Sequence, residues 1–419
     1  MRHFRRLLAT RLTSQTADGV FQVALASYVF FSPERQTSAG QAAAAFATLL
    51  LPYSVVGPFA GVLIDHWRRQ RILLVGNLVR AAMVIGVALL VLAGESGSIF
   101  YIATLAVLSV NRFFLSALSA ALPHVVREDL LVTANSLSTT SGTLVAVIGG
   151  GIGFAIRGLV GTDNLGVGLV MAAAAALYLA SSLCASAMDS RLLGPDDLPR
   201  QRPHEALRNV AGDVVAGARH LWSHRQAGHA LVAISAHRFF YGVSTIATLL
   251  LYRNYFPNGA HSSDTGLGGL AAVVLVSGLG YLVAALITPA ATRRWGQQRW
   301  IVGLFATAAA VEIVFGLPYR NLPLLVAAFF LGVVSQGSKI TVDTIVQRAV
   351  DDAYRGRVFS FYDICFNVSF VSAAAFAALA LPATGKSYAV LIFIAAGYAV
   401  TALTYAWRSG APAPAARVA

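Results

Sequence analysis

Six ionisable side chains of this sequence lie well inside long apolar stretches, where a charge is costly. One charge at the centre of a membrane helix costs roughly 2.5–3.5 kcal/mol on insertion scales, so such groups are expected to face a cavity or one another. A carboxylate in this setting can exchange a proton, and a base can contact a polar part of a substrate. The six side chains are Asp18, Arg112, Arg238, Glu312, Lys339 and Asp343.

Polar residues recur at helical spacing around all of these side chains except Glu312. Intervals of three and four residues place the members of each group on one face of a helix, so the spacing predicts four helices with one polar face each. The groups are Arg11, Gln15, Asp18 and Gln22; Ser109, Arg112, Ser116 and Ser119; Ser235, Arg238, Gly242 and Thr245; and Gln336, Lys339, Asp343 and Gln347.

Three acids are candidates for coupling to protons, with Asp18 first and Glu312 and Asp343 beside it. An ion pair of Asp18 with Arg112 or another base is the alternative, and it would hold the carboxylate charged. Lys339 and Asp343 are four residues apart and can neutralise each other. Glu312 belongs to no polar face, so a packed structural role is equally open to it.

The other polar groups on these faces, with one neighbouring tyrosine, are candidates for contacting a substrate. Nearby rings such as Phe21, Phe113 and Phe239 would suit an amphipathic, partly aromatic ligand, although packing against lipid or the core is their alternative role. The candidate substrate contacts are Gln15, Gln22, Arg112, Arg238, Tyr241, Gln336 and Lys339.

Composition identifies the solvent around these helices. The 419 residues are 57% hydrophobic and only 12% charged, with a mean hydropathy of +0.68. Soluble domains carry about 25% charged residues, so the sequence indicates a polytopic protein of the lipid bilayer. The net charge of +13 comes from basic loops without interleaved aromatic residues, which argues against binding of nucleic acid.

A helix needs about 20 apolar residues to cross the bilayer, and twelve stretches meet that requirement. The basic N-terminal segment is interpreted as part of the first span, because polar residues interrupt the apolar run of a signal peptide. The spans are predicted at 7–31, 41–64, 72–93, 99–123, 134–158, 165–188, 229–253, 266–291, 300–317, 322–346, 358–382 and 387–407.

Arginine is concentrated in alternate loops, for example at 68–71 and 293–299. Because cytoplasmic loops accumulate Lys and Arg, the pattern predicts a protein of the inner (cytoplasmic) membrane with both termini in the cytoplasm. The long polar connection 189–228 is predicted to be cytoplasmic and to contain an amphipathic helix near 207–222. It separates two six-helix bundles, 1–188 and 229–419, whose charged turns recur at a similar offset.

The segment Gly61-Val-Leu-Ile-Asp65-His-Trp-Arg-Arg69 resembles the signature between helices 2 and 3 of the major facilitator superfamily. Gly61, Leu63, Asp65 and Arg69 match that signature. The resemblance implies an all-α membrane protein of about twelve helices in two pseudo-symmetric six-helix bundles. It also implies that helices 1, 4, 7 and 10 line a central cavity, and these are the four helices with polar faces.

In that superfamily the signature latches the two halves in the outward-facing state. Gly61 would allow close helix approach, Asp65 would cap a helix end, and Arg69 would reach Glu128 or Asp129 after span 4. The alternative is an ordinary solvated basic loop.

Glycines on span 5, at 142 and from 149 to 153, are similar to a motif of superfamily exporters, although close helix packing explains them as well. The sequence around 122–126 and 134–136 resembles the drug- and siderophore-efflux branch. The chain is therefore predicted to be a monomeric, proton-coupled antiporter for efflux of amphipathic small molecules such as drugs. A proton symporter that imports a polar metabolite and a non-transporting membrane protein are the alternatives.

No phosphate-binding Gly-x-x-x-x-Gly-Lys-Ser/Thr loop, metal-ligand cluster or activated nucleophile occurs in the sequence. The two cysteines, Cys184 and Cys365, both fall inside apolar stretches and indicate neither a disulfide framework nor a metal site. An enzyme, a cofactor and transport driven by ATP bound to this chain are therefore not expected. The expected partners are a small-molecule substrate, protons and the lipid bilayer.

Overall fold

The computed structural model describes residues 2–25, 40, 64, 66–95, 97–161, 163–195, 210–256 and 267–410. Within these ranges the regular structure is helical, and no strand occurs among them. The predicted all-α class is confirmed for this part of the chain.

The helices follow the apolar stretches closely. Two short 3-10 turns, Glu128–Leu130 and Asp352–Tyr354, precede helices, and two π-helical turns, Leu251–Tyr255 and Glu312–Gly316, extend helices. The described α-helices are α1 (Arg2–Leu25), α2 (Arg69–Leu92), α3 (Ser98–Val125), α4 (Leu131–Val160), α5 (Asn164–Ser186), α6 (Val210–Ser223), α7 (Arg225–Leu250), α8 (Leu267–Trp295), α9 (Gln297–Val311), α10 (Asn321–Ala349), α11 (Arg355–Ala380) and α12 (Tyr388–Ser409).

Ten helical segments in the described ranges are long and apolar enough to cross a membrane. They correspond to the predicted spans 3 to 12. The ninth begins three residues earlier than predicted, at Gln297, and ends with its π-helical turn at Gly316, one residue before the predicted end. Span 1 corresponds to α1, whose four arginines and one aspartate lower its hydropathy. Span 2 lies almost wholly outside the described residues.

The chain divides into two compact units. The first contains the described residues of Met1–Phe31, Leu51–Leu221 and Val350–Ile364. The second contains those of Ser32–Leu50, Trp222–Ala349 and Cys365–Ala419. The turn after α10 and the start of α11 therefore pack with the first unit, although they follow most of the second in sequence.

In the first unit α1 packs on α4 and α5, while α2 packs on α3 and α5. Glycine permits the closest of these approaches: a Cβ on Gly149 would lie 2.2 Å from the carbonyl oxygen of Thr16, and one on Gly19 would clash with Ala146. The span-5 glycines at 149 and 153 thus pack against α1, whereas Gly151 has open space beside it.

The second unit repeats part of this arrangement. Here α12 packs on α7 and α9, and α9 packs on α10. In chain order these pairs correspond to α1–α5, α2–α5 and α2–α3 of the first unit. Helices α8 and α10 also approach closely, because Gly280 faces the backbone of Phe329 and Gly332 faces that of Ser277.

Candidate functional site

The first unit contains a buried ion pair between Asp18 on α1 and Arg80 on α2. The Tyr178 hydroxyl on α5 donates to Asp18 Oδ1 over 2.7 Å, and the same hydroxyl accepts from Arg80 Nη2 over 2.7 Å. The guanidinium carbon lies 4.0 Å from the centre of the Tyr178 ring. Asp18 is 6% exposed and Arg80 is 1% exposed, so both charges are removed from solvent together.

Neutral polar groups extend this network between the same three helices. Arg80 Nη1 donates to Ser14 Oγ over 2.8 Å, and Ser14 donates to Asn77 over 3.1 Å. Asn77 donates to Ser181 over 2.8 Å, and Ser181 donates to a backbone carbonyl of α1. A buried polar network is stable only when its members are satisfied, and this one links α1, α2 and α5. The basic partner of Asp18 is thus Arg80, and Arg112 does not contact it.

The polar face of α1 is divided among three neighbouring helices. Arg11 donates through Nε to Gln15 over 2.8 Å and through Nη1 to Ser138 on α4 over 3.0 Å. Asp18 faces α2 and α5 instead, whereas Gln22 is exposed. The helical spacing therefore placed these groups on one side of α1 but did not reveal that they contact three different helices.

The polar face of α3 contacts an acid from α11 within the first unit. Ser116 is buried and donates to Asp363 Oδ2 over 2.7 Å. Arg112, one helical turn earlier, is half-buried, while Ser109 is bonded to its own helix at the carbonyl of Leu105.

In the second unit, Lys339 and Asp343 form an ion pair on α10. The Lys339 Nζ lies 2.6 Å and 2.7 Å from the two carboxylate oxygens. The Asp343 side chain is 2% exposed and that of Lys339 is 30% exposed, so the acid is buried behind its base. The structure thus has the mutual neutralisation that the four-residue spacing allowed. Gln336, one turn earlier, is buried.

Arg238 on α7 lies between two phenyl rings of α11. Its guanidinium carbon is 4.4 Å from the centre of the Phe366 ring and 4.3 Å from that of Phe370. Lys339 Nζ lies 5.9 Å from the Phe366 ring. Cations over aromatic faces are stabilised by about 0.5–2 kcal/mol, and such a surface also suits flat aromatic ligands. Tyr241, one turn after Arg238, lies near Tyr281 of α8.

Glu312 differs from the other two candidate acids in its surroundings. It begins the π-helical turn after α9, is 5% exposed, and lies near Ser244 of α7. Its Oε1 has no hydrogen-bond partner among the described residues. The carboxylate borders a cavity of about 30 Å³. The cavity is lined by Ser244, Ala247, Thr248, Leu251, Glu312, Gly316, Tyr319, Leu324, Leu381, Gly385, Ser387, Val390, Leu391 and Ile394.

A lysine and three tyrosine rings lie close together near the ends of the helices that line this cavity. Lys386 Nζ is 2.9 Å from the Tyr255 hydroxyl and 4.9, 5.4 and 5.6 Å from the ring centres of Tyr255, Tyr319 and Tyr388. The hydrogen bond to Tyr255 raises the pKa of Lys386. Lys386 therefore remains charged, and the rings hold it beside Tyr319.

His237 is a buried titratable residue that the sequence did not single out. It is 1% exposed, its Nδ1 lies 3.2 Å from the Tyr398 hydroxyl, and its ring stacks on Phe305 at 5.7 Å. Nε2 has no hydrogen-bond partner among the described residues. The only sequence signal was a histidine inside an apolar stretch next to Arg238.

Arg69 is fully buried at 0% exposure, in a cluster at the end of the first unit that carries α2 and the turn after α10. Its Nη1 donates to Asp352 Oδ1 over 2.8 Å and to the carbonyl of Ala120 over 3.1 Å. Arg355 donates to the same carboxylate oxygen over 2.5 Å, and His124 Nε2 lies 3.4 Å from it.

The predicted partners of Arg69, Glu128 and Asp129, were therefore wrong. Asp129 lies in an exposed 3-10 turn and pairs with exposed Arg127 over 3.2 Å, and Glu128 does not contact Arg69. The acid that does so occupies the corresponding 3-10 turn after α10. The sequence thus indicated an acid in a charged turn after a span, but the turn after α10, and not the one after α3, supplies it. Gly61 and Asp65 lie outside the described residues.

Comparison with known proteins identifies the family. No protein-family profile matches the chain. The chain is, however, 35% identical over 399 residues to an uncharacterized MFS-type transporter of Mycobacterium tuberculosis, with 94% of this chain and 88% of that protein covered. The chain belongs to the major facilitator superfamily.

A second relative is the multidrug efflux pump Tap of Mycobacterium tuberculosis. It is 25% identical over 366 residues, which cover 84% of this chain and 80% of that protein. The resemblance to the superfamily stated from the signature is confirmed, and homologous transporters support the expectation that the chain is not an enzyme.

Solved structures show the same fold. A bacterial homologue of the iron transporter ferroportin, in an outward-facing state, matches with a TM-score of 0.72 at 14% identity, covering 98% of this chain and all of the other. The fucose:proton symporter of Escherichia coli matches with a TM-score of 0.71 at 12% identity, covering 97% and 98%. At such identities the likeness concerns the superfamily fold alone.

Proposed function

We propose that this superfamily member is a proton-coupled exporter of amphipathic small molecules that works by alternating access. The observation that carries the proposal is the presence of ionisable groups buried inside membrane spans in each unit: the Asp18–Arg80 pair in the first, and Glu312 and the Lys339–Asp343 pair in the second. Charges are kept in such places at a cost of several kcal/mol, which is typical of groups that serve ion or substrate pathways. The relative Tap is a multidrug efflux pump, which supports efflux as the direction of transport.

The proposed architecture is twelve spans in two six-helix halves. Both ends of the chain lie on the cytoplasmic side of the membrane. Ten apolar spans, helix α1 and the predicted span 41–64 account for the number. The recurrence of three helix pairings in the two units supports an internal duplication, which is a common plan of secondary transporters. Arginine-rich alternate loops support the orientation in the inner membrane.

The proposed substrate class follows from the aromatic and cationic surface of the second unit. Arg238 between Phe366 and Phe370, with Lys339 beside them, offers flat apolar faces together with positive charge. A ligand with a planar aromatic part would gain apolar contact there, and its polar part could bond to the bases. Proton entry would supply the driving force, about 2.3 kcal/mol for each charge moved through 100 mV.

Everted membrane vesicles test this function. Ethidium, an aromatic cation, and fluorescein, an aromatic anion, serve as probes, and respiration supplies a gradient that is acid inside the vesicle. We expect vesicles containing the protein to accumulate at least one probe, and a protonophore to abolish the accumulation. Vesicles with Lys339→Ala/Asp343→Ala protein are the control and should lose it. Accumulation of neither probe above empty vesicles would contradict the exporter proposal, and gradient-driven loss of a probe would indicate import.

A further inference from the structure

We propose that Glu312 is the residue that binds the coupled proton, and that the proton reaches it by way of the small cavity lined by Ser244, Tyr319 and Ser387. The inference rests on the proposed proton-coupled function. In the protonated state the carboxyl group is neutral, and in the deprotonated state its charge is sheltered only by polar neutral groups. The proton comes from water on the side of the membrane where the loops contain few arginines.

The three candidate acids differ in their partners. Asp18 is bound to Arg80, and both oxygens of Asp343 are bound to Lys339. Glu312 forms no ion pair, and its Oε1 is buried with no partner among the described residues. A paired carboxylate must break its ion pair to take up a proton. An unpaired buried carboxylate is instead stabilised when it takes up a proton, because burial penalises the charged form.

The groups that face Glu312 are compatible with reversible protonation. Three groups without charge lie near enough to interact with the carboxylate: Ser244 on α7, Tyr319 after the π-helical turn and Tyr398 on α12. Tyr398 is in turn hydrogen-bonded to His237. The nearest charged group of the adjoining segment, Lys386, acts on Tyr319 and does not pair with Glu312. Every group in direct contact with the carboxylate can therefore remain neutral.

The cavity gives the carboxylate a short route to solvent. Its volume of about 30 Å³ is enough for a water molecule, since one water needs at least about 10–15 Å³. Ser387, Gly385 and Tyr319 line it and belong to the segments that connect α9 to α10 and α11 to α12. These segments follow the ends of the spans, so Glu312 lies about one helical turn from that surface. Water in the cavity would therefore link Oε1 to solvent.

The local helix geometry supports a functional role for this place. Two π-helical turns, Leu251–Tyr255 and Glu312–Gly316, both contribute residues to the cavity wall. π-helical turns inside α-helices are rare and occur frequently at functional sites. Gly316 at the end of the second one packs closely on the Leu391 side chain, which a Cβ there would approach to 2.7 Å.

Proteoliposomes loaded with ethidium or fluorescein test the proposal, whichever probe the wild-type protein transports. An imposed pH gradient should accelerate wild-type transport, and Glu312→Gln should reduce that acceleration at least tenfold. Probe exchange without a gradient should persist in Glu312→Gln, since the neutral amide mimics the protonated acid. Glu312→Asp, which keeps an acid, should retain the response. An unchanged response of Glu312→Gln to the gradient would overturn the inference, whereas a wild-type protein that ignores the gradient would overturn the proposed function.

Carbodiimide labelling of the wild-type protein gives a second test that does not depend on folding of a variant. Dicyclohexylcarbodiimide adds to protonated carboxyl groups in apolar surroundings, and peptide mass spectrometry locates the adduct. We expect Glu312 to be labelled in preference to Asp18 and Asp343, with the yield falling as the pH rises. Labelling of Asp18 or Asp343 with Glu312 unmodified would contradict the inference.

Discussion

Asp18 illustrates how a buried charge can be structural in a transporter. The guanidinium of Arg80 has Asp18 as its only acidic partner in the described part of the chain, and the Tyr178 ring covers it. Removing one member of a buried ion pair is strongly destabilising, because the other charge is left without compensation. From the sequence, Asp18 is the first candidate for proton coupling, and an ion pair with Arg112 or another base is the alternative; the structure pairs it with Arg80. Arg80 lies three residues after Asn77 on one face of α2, a pairing that the sequence analysis did not single out.

We predict that Asp18→Asn destabilises the purified protein by about 3–5 kcal/mol, the range for breaking a buried pair. Thermal unfolding followed by tryptophan fluorescence would measure the loss. The double variant Asp18→Leu/Arg80→Met removes both charges and should recover most of it. If Asp18→Asn kept wild-type stability but lost its response to a pH gradient, Asp18 and not Glu312 would be the coupling acid.

Asp352 serves the buried Arg69 in a similar way. We predict that Asp352→Asn lowers stability by about 2–3 kcal/mol, less than for a fully buried pair because Asp352 keeps some solvent contact and Arg69 keeps a carbonyl partner. Asp129→Asn is the matched control, since the exposed Asp129–Arg127 pair is worth about 0–1 kcal/mol. Equal losses in the two variants would show that Asp352 has no special role.

At the scale of elements, hydropathy and spacing predicted most helices to within a few residues. The start of α9 was placed three residues late, because the helix begins at Gln297 inside the polar segment that precedes the apolar stretch. Packing partners were not predictable either: the glycines of span 5 fit both an exporter motif and close packing. The structure shows which of these glycines pack closely, since Gly149 faces the α1 backbone and Gly151 faces open space.

This difference gives a prediction with its control on the same helix. Gly149→Ala places a methyl group 2.2 Å from the Thr16 carbonyl oxygen and should cost about 1–3 kcal/mol through overpacking. Gly151→Ala meets nothing within 4 Å and should be neutral or slightly stabilising, since alanine favours helix. Unfolding midpoints of the two purified variants would be compared with wild type. Two equally tolerated alanines would argue against tight α1–α4 packing.

For the whole molecule, three helix pairings recur in the two units, and the recurrence of similar acidic turns explains the main error made from the sequence. The 3-10 turns Glu128–Leu130 and Asp352–Tyr354 occupy corresponding places in the two halves, and each contains an acid. Sequence proximity favoured the first turn as the partner of Arg69. The grouping of Val350–Ile364 with the first unit places the second turn beside it, and such a long-range packing choice is not encoded in local spacing.

The proposed orientation predicts the accessibility of single cysteines. In a Cys184→Ser/Cys365→Ser background, we expect Thr384→Cys in an Arg-poor connection to react with a membrane-impermeant maleimide in intact cells. Gln226→Cys, which is exposed next to the predicted cytoplasmic loop, should react only after permeabilisation. The reverse pattern would invert the orientation and with it the direction of proton entry to Glu312.

The central claim, that substrate export is coupled to proton movement in the opposite direction, can be measured directly in proteoliposomes with a pH-sensitive dye inside. No pH gradient is imposed, and the wild-type protein is given only an outward gradient of the transported probe. The account predicts that protons move inward as the probe leaves, so that the interior acidifies, and that Glu312→Gln abolishes the acidification. Probe efflux without acidification, or with the interior becoming alkaline, would contradict it.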